Sequence, residues 1–292
     1  MYIKVYNKLV FYNYGGYGDI FESREFVRDI MSFVPANEYY YSHNKNPKIL
    51  FDIPQLKYMR MTSEMGSWIS HIENSDNLYL NCWIGKNSKY VLSQVGCVID
   101  KNYEMFNDVL RETGHRALSK PFIDYIPTVD FSKMDTSKVD TFIEEHAGRS
   151  KVLISNGKVK SKQAENFDFS PSIFILANNH KDTDFIVTAP MDSYLDNIYI
   201  ATGITQTVDG FDLNEISYLA KFVDVIIGRK SGPFTVAHSK DVWYSNKKSL
   251  SFTYAEHSSH FVQGDSLPLR KYWSPAVTTE DIIRKIEEVL ND

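Results

Sequence analysis

Cysteines and long apolar segments are nearly absent from this sequence. Only Cys82 and Cys97 occur among its 292 residues, which is too few for a disulfide framework or a structural zinc cluster. No stretch approaches the ~18 uninterrupted apolar residues that a membrane-spanning helix requires. The opening residues, MYIKVYNKLV, lack the apolar core and the small-residue cleavage site of a signal peptide. These absences predict a cytoplasmic protein without a transmembrane segment.

An excess of positive charge is also missing. The formal net charge is −5 and the pI is near 5.9, which argues against a large, uniformly basic surface for nucleic acid but leaves a local basic groove open. Hydrophobic residues make up 43% and charged residues 24% of the chain, as is typical of packed globular proteins. At this length two domains of ordinary size are favoured over one.

The usual cofactor and metal motifs do not occur either. The chain has neither the dinucleotide-binding pattern GxGxxG, nor a phosphate-binding loop ending in Gly-Lys-Ser/Thr, nor an HExxH zinc motif. His257 and His260 have HxxH spacing, but no acidic third ligand stands at a fixed distance from them. We therefore expect neither a bound metal nor a bound cofactor.

What the chain does contain is a series of short apolar strands that alternate with helical patterns. Strands are predicted at residues 9–13, 37–43, 77–85, 185–189 and 197–203, and at two further runs that end near Ile154 and Ile227. Helices are predicted at residues 20–33, 105–118, 136–148, 212–224 and 278–292. This alternation predicts an α/β fold with parallel sheets and right-handed crossovers.

A segment with two prolines and no sustained period, residues 121–135, is typical of a linker. We predict an N-terminal Rossmann-like domain at residues 1–125, a linker with a connecting helix at 126–150, and a C-terminal Rossmann-like domain at 151–292. Both domains are expected to be doubly wound and to face each other across a cleft. Because ligands bind at the carboxyl ends of such strands, the glycine loops are expected to open toward that cleft.

The first glycine loop reads NYGGYGD and lies between a strand and a helix. Gly15, Gly16 and Gly18, with Tyr17 between them, allow backbone N–H groups to approach a ligand closely, and a helix N-terminus attracts anions. Asp19 either caps the helix or points its carboxylate into the cleft. By itself, a glycine turn before a helix is more often only a turn, so this segment alone does not indicate a ligand-binding site.

The second half offers two candidate phosphate-binding segments. Ser231 and Gly232 precede a short helix with Pro233 at its start, where backbone N–H groups could receive phosphate oxygens. Three lysines follow the strand that ends near Ile154, and lysine is a good point-charge partner for phosphate; they are Lys158, Lys160 and Lys162. A solvated lysine-rich loop without a ligand explains them equally well.

In order along the chain, four segments resemble the ADP-heptose:lipopolysaccharide heptosyltransferases, which have the GT-B fold. GGYGDIFESREFVRDI is similar to the family's N-terminal GxGD segment, and NLYLNCWIG to its inner strand on the acceptor side. KVLISNG is similar to the first strand of the nucleotide-sugar domain. FDLNEISYLAKFVDVIIGRKSGPFTVAHSKD is similar to the family's D-L-x-E-L-x-x-L helix and the D-x-x-I-G-x-D-[ST]-G turn that follows it.

This resemblance implies metal-independent transfer of a sugar from a nucleotide-sugar co-substrate, with inversion at the anomeric carbon. It assigns the general base to Asp19, since a carboxylate that accepts the hydroxyl proton makes the acceptor a better nucleophile. It also assigns donor binding to the three lysines and to the residues of the second turn. The latter are Arg229, Lys230, Ser231, Gly232, Pro233 and Thr235.

The turn departs from the family pattern at two places. Arg229 and Lys230 stand where the family carries an acidic residue, and Thr235 stands in place of its histidine, with His238 further along. Two cations can strengthen diphosphate binding, but heptose no longer follows as the donor sugar. In the helix before the turn, Glu215 could bind the base or ribose, although a capping role beside Asp212 is favoured.

Several functions remain open at this stage. The acceptor is expected to be a glycan or a lipopolysaccharide-type molecule, and the alternative is a hydroxymethylated base in DNA, as in phage DNA glycosyltransferases. A catalytically inactive nucleotide-sugar-binding protein and a nucleotide-sugar epimerase are further alternatives. Aromatic side chains such as Tyr17, Trp68 and Trp83 could stack on an acceptor, or they could simply pack.

Overall fold

The computed structural model describes residues 4–62, 65–85, 89–90, 98–160, 163–192, 195–254, 256 and 267–292. These residues form two compact units, with the boundary in the linker region between Asp130 and Phe131. Among them, no helix combines the length and the hydrophobicity that crossing a membrane requires. Lys162, His257 and His260 lie outside the described residues.

Unit 1 is built on a five-stranded sheet with the strand order β3-β2-β1-β5-β4. Its strands are β1 (Tyr6–Tyr12), β2 (Ala36–Ser42), β3 (Leu56–Met59), β4 (His71–Glu73) and β5 (Asn77–Asn81). Its helices are α1 (Tyr17–Phe33) and α2 (Val98–Glu112), with 3-10 turns at Pro47–Leu50 and Phe122–Tyr125. All strands are parallel except β4, which runs antiparallel to β5. Strand β1 is central, and its apolar residues from Leu9 to Tyr12 are completely buried, as expected for a parallel strand that is covered on both faces.

Part of the charged side of α1 is buried as well. The Asp52 carboxylate accepts hydrogen bonds from the guanidinium groups of Arg24 and Arg28, both at 2.5 Å, and from the backbone N–H of Asp130 at 3.0 Å. A buried carboxylate needs this many partners, because desolvation of an unpaired charge costs several kcal/mol. The cluster ties α1 to the C-terminal end of unit 1.

Unit 2 is built on a six-stranded, entirely parallel sheet with the strand order β11-β10-β9-β6-β7-β8. Its strands are β6 (Ser150–Ser155), β7 (Thr183–Val187), β8 (Ile198–Ile200), β9 (Val225–Arg229), β10 (Lys248–Phe252) and β11 (Arg270–Ser274). Its helices are α3 (Ser137–Glu145), α4 (Ser170–Asn179), α5 (Ala201–Thr205), α6 (Leu213–Leu219), α7 (Gly232–Val236), α8 (Lys240–Trp243) and α9 (Thr279–Asn291), and 3-10 turns lie at Phe131–Lys133 and Ala220–Phe222.

Counted from β6, the strands of unit 2 follow the Rossmann order 3-2-1-4-5-6. The order reverses between β6 and β9, so the ligand crevice of this fold is expected at the carboxyl ends of those two strands. In unit 1 the corresponding reversal lies between β1 and β5. The predicted α/β class with two Rossmann-like parallel sheets is therefore confirmed.

Several predicted boundaries shift for local reasons. Helix α1 begins at Tyr17, so Gly18 lies in its first turn and not in the preceding loop. Strand β5 ends at Asn81, because the Asn81 side chain accepts the N–H of Trp83 at 2.9 Å and turns the chain. The strand predicted at residues 197–203 stops at Ile200, where α5 begins. The helix predicted at 212–224 is α6 followed by a 3-10 turn.

His43 gives the fold a pH-dependent contribution. It follows β2, is 1% exposed, and its Nδ1 accepts the backbone N–H of Lys45 at 3.0 Å. Burial lowers the pKa of His43 from 6.5 to about 4. The unfolded chain therefore binds a proton at this position at a higher pH than the folded chain does. The stability contributed by neutral His43 is lost as the pH falls from about 6.5 to about 4.

We expect His43→Asn to remove this pH dependence, because asparagine keeps an acceptor for the Lys45 N–H and does not titrate. Urea unfolding of both proteins at about pH 7.5 and about pH 5 measures the free energy of unfolding. The wild type should lose more of that free energy on acidification than the variant does. An equal loss in the two proteins would contradict the assignment.

Candidate functional site

The glycine loop of unit 1 is held by one buried side chain at the β1–β5 reversal. Asn13 follows β1 and is 1% exposed. Its amide nitrogen donates to the carbonyl of Cys82 at 3.1 Å and to the hydroxyl of Tyr41 at 3.3 Å, while its amide oxygen accepts the N–H of Gly15 at 2.7 Å. Asn13 therefore joins the ends of β1, β2 and β5 and sets the course of the loop.

Asp19 lies in the first turn of α1, with its carboxylate turned back over the loop. Its Oδ2 accepts the backbone N–H of Gly16, the N-cap residue, at 2.8 Å. A Cβ atom at Gly15 would lie 2.5 Å from the carboxylate carbon, so this close approach requires glycine there. Asp19 thus caps the helix. A carboxylate has about four acceptor positions, so the cap leaves capacity for a further bond or a proton.

Tyr17, the first residue of α1, is fixed to the loop after β2. Its hydroxyl accepts the backbone N–H of Asn46 at 3.1 Å, and the Nζ of Lys45 lies 5.8 Å from the centre of its ring. Cys82, which follows β5, is buried, and burial raises the pKa of its thiol to about 12. Cys82 is therefore inert as a nucleophile at neutral pH.

The most heavily bonded side chain at the carboxyl edge of unit 2 is Arg229, the last residue of β9. Its guanidinium donates to the backbone carbonyls of Asn156 and Gly157, each at 2.9 Å, to that of Glu165 at 2.8 Å, and to that of Phe167. The side chain is completely buried, and burial lowers its pKa from 12.5 to about 10. It therefore remains charged at neutral pH, and the dipoles of the four carbonyl groups stabilise its charge.

Two phenylalanine rings complete the environment of Arg229. The guanidinium carbon lies 4.4 Å from the ring centre of Phe167 and 4.6 Å from that of Phe169, distances at which a cation is attracted by the ring face. All of the hydrogen bonds described for Arg229 go to the backbone of the loop between β6 and α4. The arginine predicted as a donor-binding residue therefore shapes that loop instead of presenting its charge to a ligand.

The loop that Arg229 shapes carries the two described lysines. Lys158 and Lys160 are both exposed and flank Val159, which is 7% exposed. The Asn166 side chain pairs with the backbone of Val159 through two hydrogen bonds of 2.7 and 3.0 Å. The backbone between the two lysines is thereby held through both its N–H and its carbonyl group. The two lysine side chains themselves are exposed to solvent at the β6–β9 reversal.

The Ser231–Gly232 turn lies beside the lysine loop. The hydroxyls of Ser155 and Ser231 are 2.7 Å apart, and a Cβ atom at Gly228 would lie 2.6 Å from the Cβ of Ser155. Ser231 is the N-cap of α7: its Oγ accepts the N–H of Phe234 at 3.5 Å and its carbonyl accepts the N–H of Thr235 at 2.9 Å. The backbone N–H groups of Phe234 and Thr235, which were candidate phosphate ligands, are thus already hydrogen-bonded within the protein.

The remaining predicted residues of the turn are located as follows. Pro233 is the second residue of α7 and not the first, because the helix begins at Gly232. Lys230 and Thr235 are buried, with 7% and 4% exposure. His238 is buried beyond α7, where its ring nitrogens lie 2.6 Å from the Phe234 carbonyl and 2.7 Å from the Ser249 hydroxyl. Among the predicted donor-binding residues that the structure describes, Lys158 and Lys160 are exposed, and Ser231, Gly232 and Pro233 are half-buried.

The predicted cap of α6 differs from expectation. Asp212 is the N-cap residue, but its side chain makes no capping hydrogen bond. Its Oδ2 is buried and has no hydrogen-bond partner in the described part of the chain. Burial raises the pKa of this carboxyl group. The side-chain cap expected at Asp212 is therefore not formed.

Sequence reasoning missed the side chains that build both loops. Asn13, Asn156 and Asn166 each bond to loop backbone, and the Asn156 side chain forms two bonds of 2.8 Å to the backbone of Ala189. Asparagine directly after a buried strand was the available signal, since its amide offers both a donor and an acceptor to neighbouring backbone.

Comparisons with known proteins identify the fold. No protein-family model matches the chain, and no curated protein does. A family 9 glycosyltransferase structure from Veillonella parvula DSM 2008 has a TM-score of 0.56 and 12% identity, covering 99% of this chain and 93% of that one. The E. coli ADP-heptose LPS heptosyltransferase II has a TM-score of 0.55 and 11% identity, covering 97% and 98%. The S. aureus MnaA structure with UDP has a TM-score of 0.50 and 10% identity, covering 98% and 88%.

At these identities the similarity concerns the fold, and it extends over nearly the whole of this chain. The chain thus has the GT-B fold of the glycosyltransferase family 9 structures, and the structural resemblance predicted from the sequence is confirmed.

Proposed function

We propose that this protein is a nucleotide-sugar-dependent glycosyltransferase. The observation that carries the proposal is the lysine loop at the β6–β9 reversal of unit 2. Lys158 and Lys160 are exposed there, on a backbone fixed by the buried guanidinium of Arg229. A solvated loop without a ligand needs no such anchor, and burying an arginine is costly. Two solved structures with the same fold are named as a glycosyltransferase and a heptosyltransferase, and a third, of MnaA, contains UDP.

The diphosphate of the donor binds, in this proposal, to Lys158 and Lys160. Nucleotides bind at the strand-order reversal of Rossmann sheets, and charge-assisted hydrogen bonds from lysine to phosphate are about twice as strong as neutral ones. The lysines also stabilise the negative charge that develops on the departing diphosphate. They take the part that a metal ion has in other transferases, so we propose a metal-independent reaction.

Asp19 is proposed as the general base on the acceptor. An acceptor hydroxyl attacks the anomeric carbon from the face opposite the diphosphate, and the carbon–oxygen bond to the diphosphate breaks with its electron pair remaining on the phosphate oxygen. The hydroxyl proton passes to the Asp19 carboxylate. Attack from the opposite face inverts the anomeric centre, and the acceptor we propose is a glycan or a lipopolysaccharide-type molecule.

The donor assignment predicts selective binding of a nucleoside diphosphate. In a thermal-shift panel of nucleoside diphosphates and their sugars, at least one nucleotide should raise the melting temperature. At a hundredfold excess over Kd the stabilisation is about 2.7 kcal/mol. Replacing both Lys158 and Lys160 by alanine should weaken binding about tenfold or more. Lys181→Ala, at the amino end of β7, is the matched control. No shift with any nucleotide would contradict the donor site.

The anchoring role of Arg229 predicts a coupled loss of stability and affinity. Arg229→Lys keeps the charge but cannot reach four carbonyls, so we expect a loss of about 2 to 4 kcal/mol in unfolding free energy. At a temperature where the variant is folded, nucleotide affinity should also fall about tenfold. Arg149→Lys, which alters a pair with Asp184 at the other end of β6, should change stability alone. Wild-type nucleotide affinity in Arg229→Lys would refute the anchor.

The base assignment predicts that Asp19→Asn binds nucleotide normally but turns over poorly. Asparagine still accepts the Gly16 N–H, so the helix cap is retained, whereas the proton acceptor is lost. The rate of transfer should fall by about 10² to 10⁴. The exposed Asp76→Asn serves as a matched control in the same unit. Full turnover in Asp19→Asn would show that another group is the base, and product formed from donor alone would indicate an epimerase.

A further inference from the structure

Aromatic side chains are exposed on two segments of unit 1, the one that follows β1 and the one that precedes β4. Tyr14 is 37% exposed and Trp68 is 68% exposed. The rings of Tyr14 and Trp83 lie 6.1 Å apart, centre to centre, and are tilted by 44°. Large aromatic side chains normally bury most of their surface, and where several are exposed together they mark a binding site.

These rings are held in place by the elements beneath them. The indole of Trp83 lies against Gly85, where a Cβ atom would be 2.5 Å from two indole carbons. Tyr14 contacts Tyr12 edge to face at 6.2 Å. The segment that carries Trp68 is fixed by hydrogen bonds of 3.1 and 3.3 Å from the Tyr12 hydroxyl to its carbonyls. A partly exposed indole that requires a glycine beneath it is positioned in advance of any ligand.

One of these aromatic residues, Tyr14, lies close in the chain to the proposed base. Tyr14 is adjacent in the chain to Gly15, and the Asp19 carboxylate lies directly against Gly15. The glycine loop, residues 15–18, is all that separates Tyr14 from Asp19 along the chain. If Asp19 takes a proton from the acceptor, the ring that stacks here belongs to the acceptor. The inference rests on the proposed function in this respect.

The charges on the segments that carry the rings indicate which class of acceptor fits them. The stretches 13–19, 65–70 and 82–85 contain one charged residue, Asp19, and no lysine or arginine. Lys45 follows β2, with its Nζ 5.8 Å from the ring centre of Tyr17, and Arg60 follows β3; both strands lie on the side of β1 opposite to β5. Nucleic acids are bound largely through lysine and arginine contacts to phosphate, and these stretches offer none. An uncharged ring with an apolar face fits them better.

We propose that Tyr14 and Trp83, with Trp68 on the segment that the Tyr12 hydroxyl holds, form an acceptor subsite for a neutral pyranose ring. One face of a pyranose presents C–H groups, which pack against an aromatic ring, while its hydroxyls stay at the edge. One of those hydroxyls, or one on the adjoining sugar, then faces the Asp19 carboxylate. The subsite selects a glycan acceptor over a base in DNA.

Saturation-transfer NMR without a nucleotide tests this subsite, because it detects weak sugar binding and shows which ring protons touch the protein. The probes are maltotetraose, cellotetraose, chitotetraose and a thymidine hexanucleotide. At least one tetrasaccharide should bind, with the strongest transfer to ring C–H protons. Trp83→Ala should weaken that binding about tenfold. Gly85→Ala, which displaces the indole without removing it, should weaken it as well.

Tyr244→Ala is the matched control, since Tyr244 is 48% exposed but follows α8 in unit 2. Thermal melts establish that each variant is folded. The proposal is overturned if no tetrasaccharide binds, if binding persists in Trp83→Ala, or if only the hexanucleotide binds and is lost in Trp83→Ala. Because no donor is present, this outcome is independent of the nucleotide panel, so a failure of the acceptor subsite is distinguishable from a failure of the proposed transferase activity.

Discussion

The arrangement of the carboxyl edge of unit 2 depends on the burial of one guanidinium group. Arg229 ends the central strand β9 and donates to carbonyls from two separate stretches of the following loop, 156–157 and 165–167. A buried cation without these carbonyls would cost several kcal/mol, so strand and loop are ordered together. The exposed lysines at 158 and 160 lie between the two anchored stretches, and their backbone position follows from that constraint.

In unit 1 a neutral side chain fixes the loop at the strand-order reversal. Asn13 directly follows the central strand β1, and its amide bonds to the chain after β5, to a tyrosine of β2 and to the glycine loop. In both units a polar side chain at the end of the central strand is completely enclosed and satisfied by its neighbours. Such a buried polar group is expensive unless every bond is made, and it therefore specifies one loop conformation at each strand-order reversal.

Arg229 and Lys230, the two cations in place of the family's acidic residue, have structural roles that differ from those expected from the sequence. In the sequence, Arg229 and Lys230 look like a pair of phosphate ligands. In the structure both are buried, and Arg229 acts on the backbone of the preceding loop. Arg229 is thus committed to the loop between β6 and α4, and the proposed contacts to phosphate pass to Lys158 and Lys160.

The sequence by itself determined strands β1, β2 and β5 to β9, the helices α1, α2, α3, α6 and α9, and their alternation, because hydrophobic periodicity and glycine turns act over a few residues. It also located the glycine loop, Asp19 and the lysine loop, since each adjoins a recognisable strand end. Tertiary structure decided the roles of Asn13 and Arg229 and the contact between the rings of Tyr14 and Trp83. Each of these depends on chain segments many residues apart, and such contacts exist only after the parallel strands have brought their carboxyl ends to one edge of a sheet.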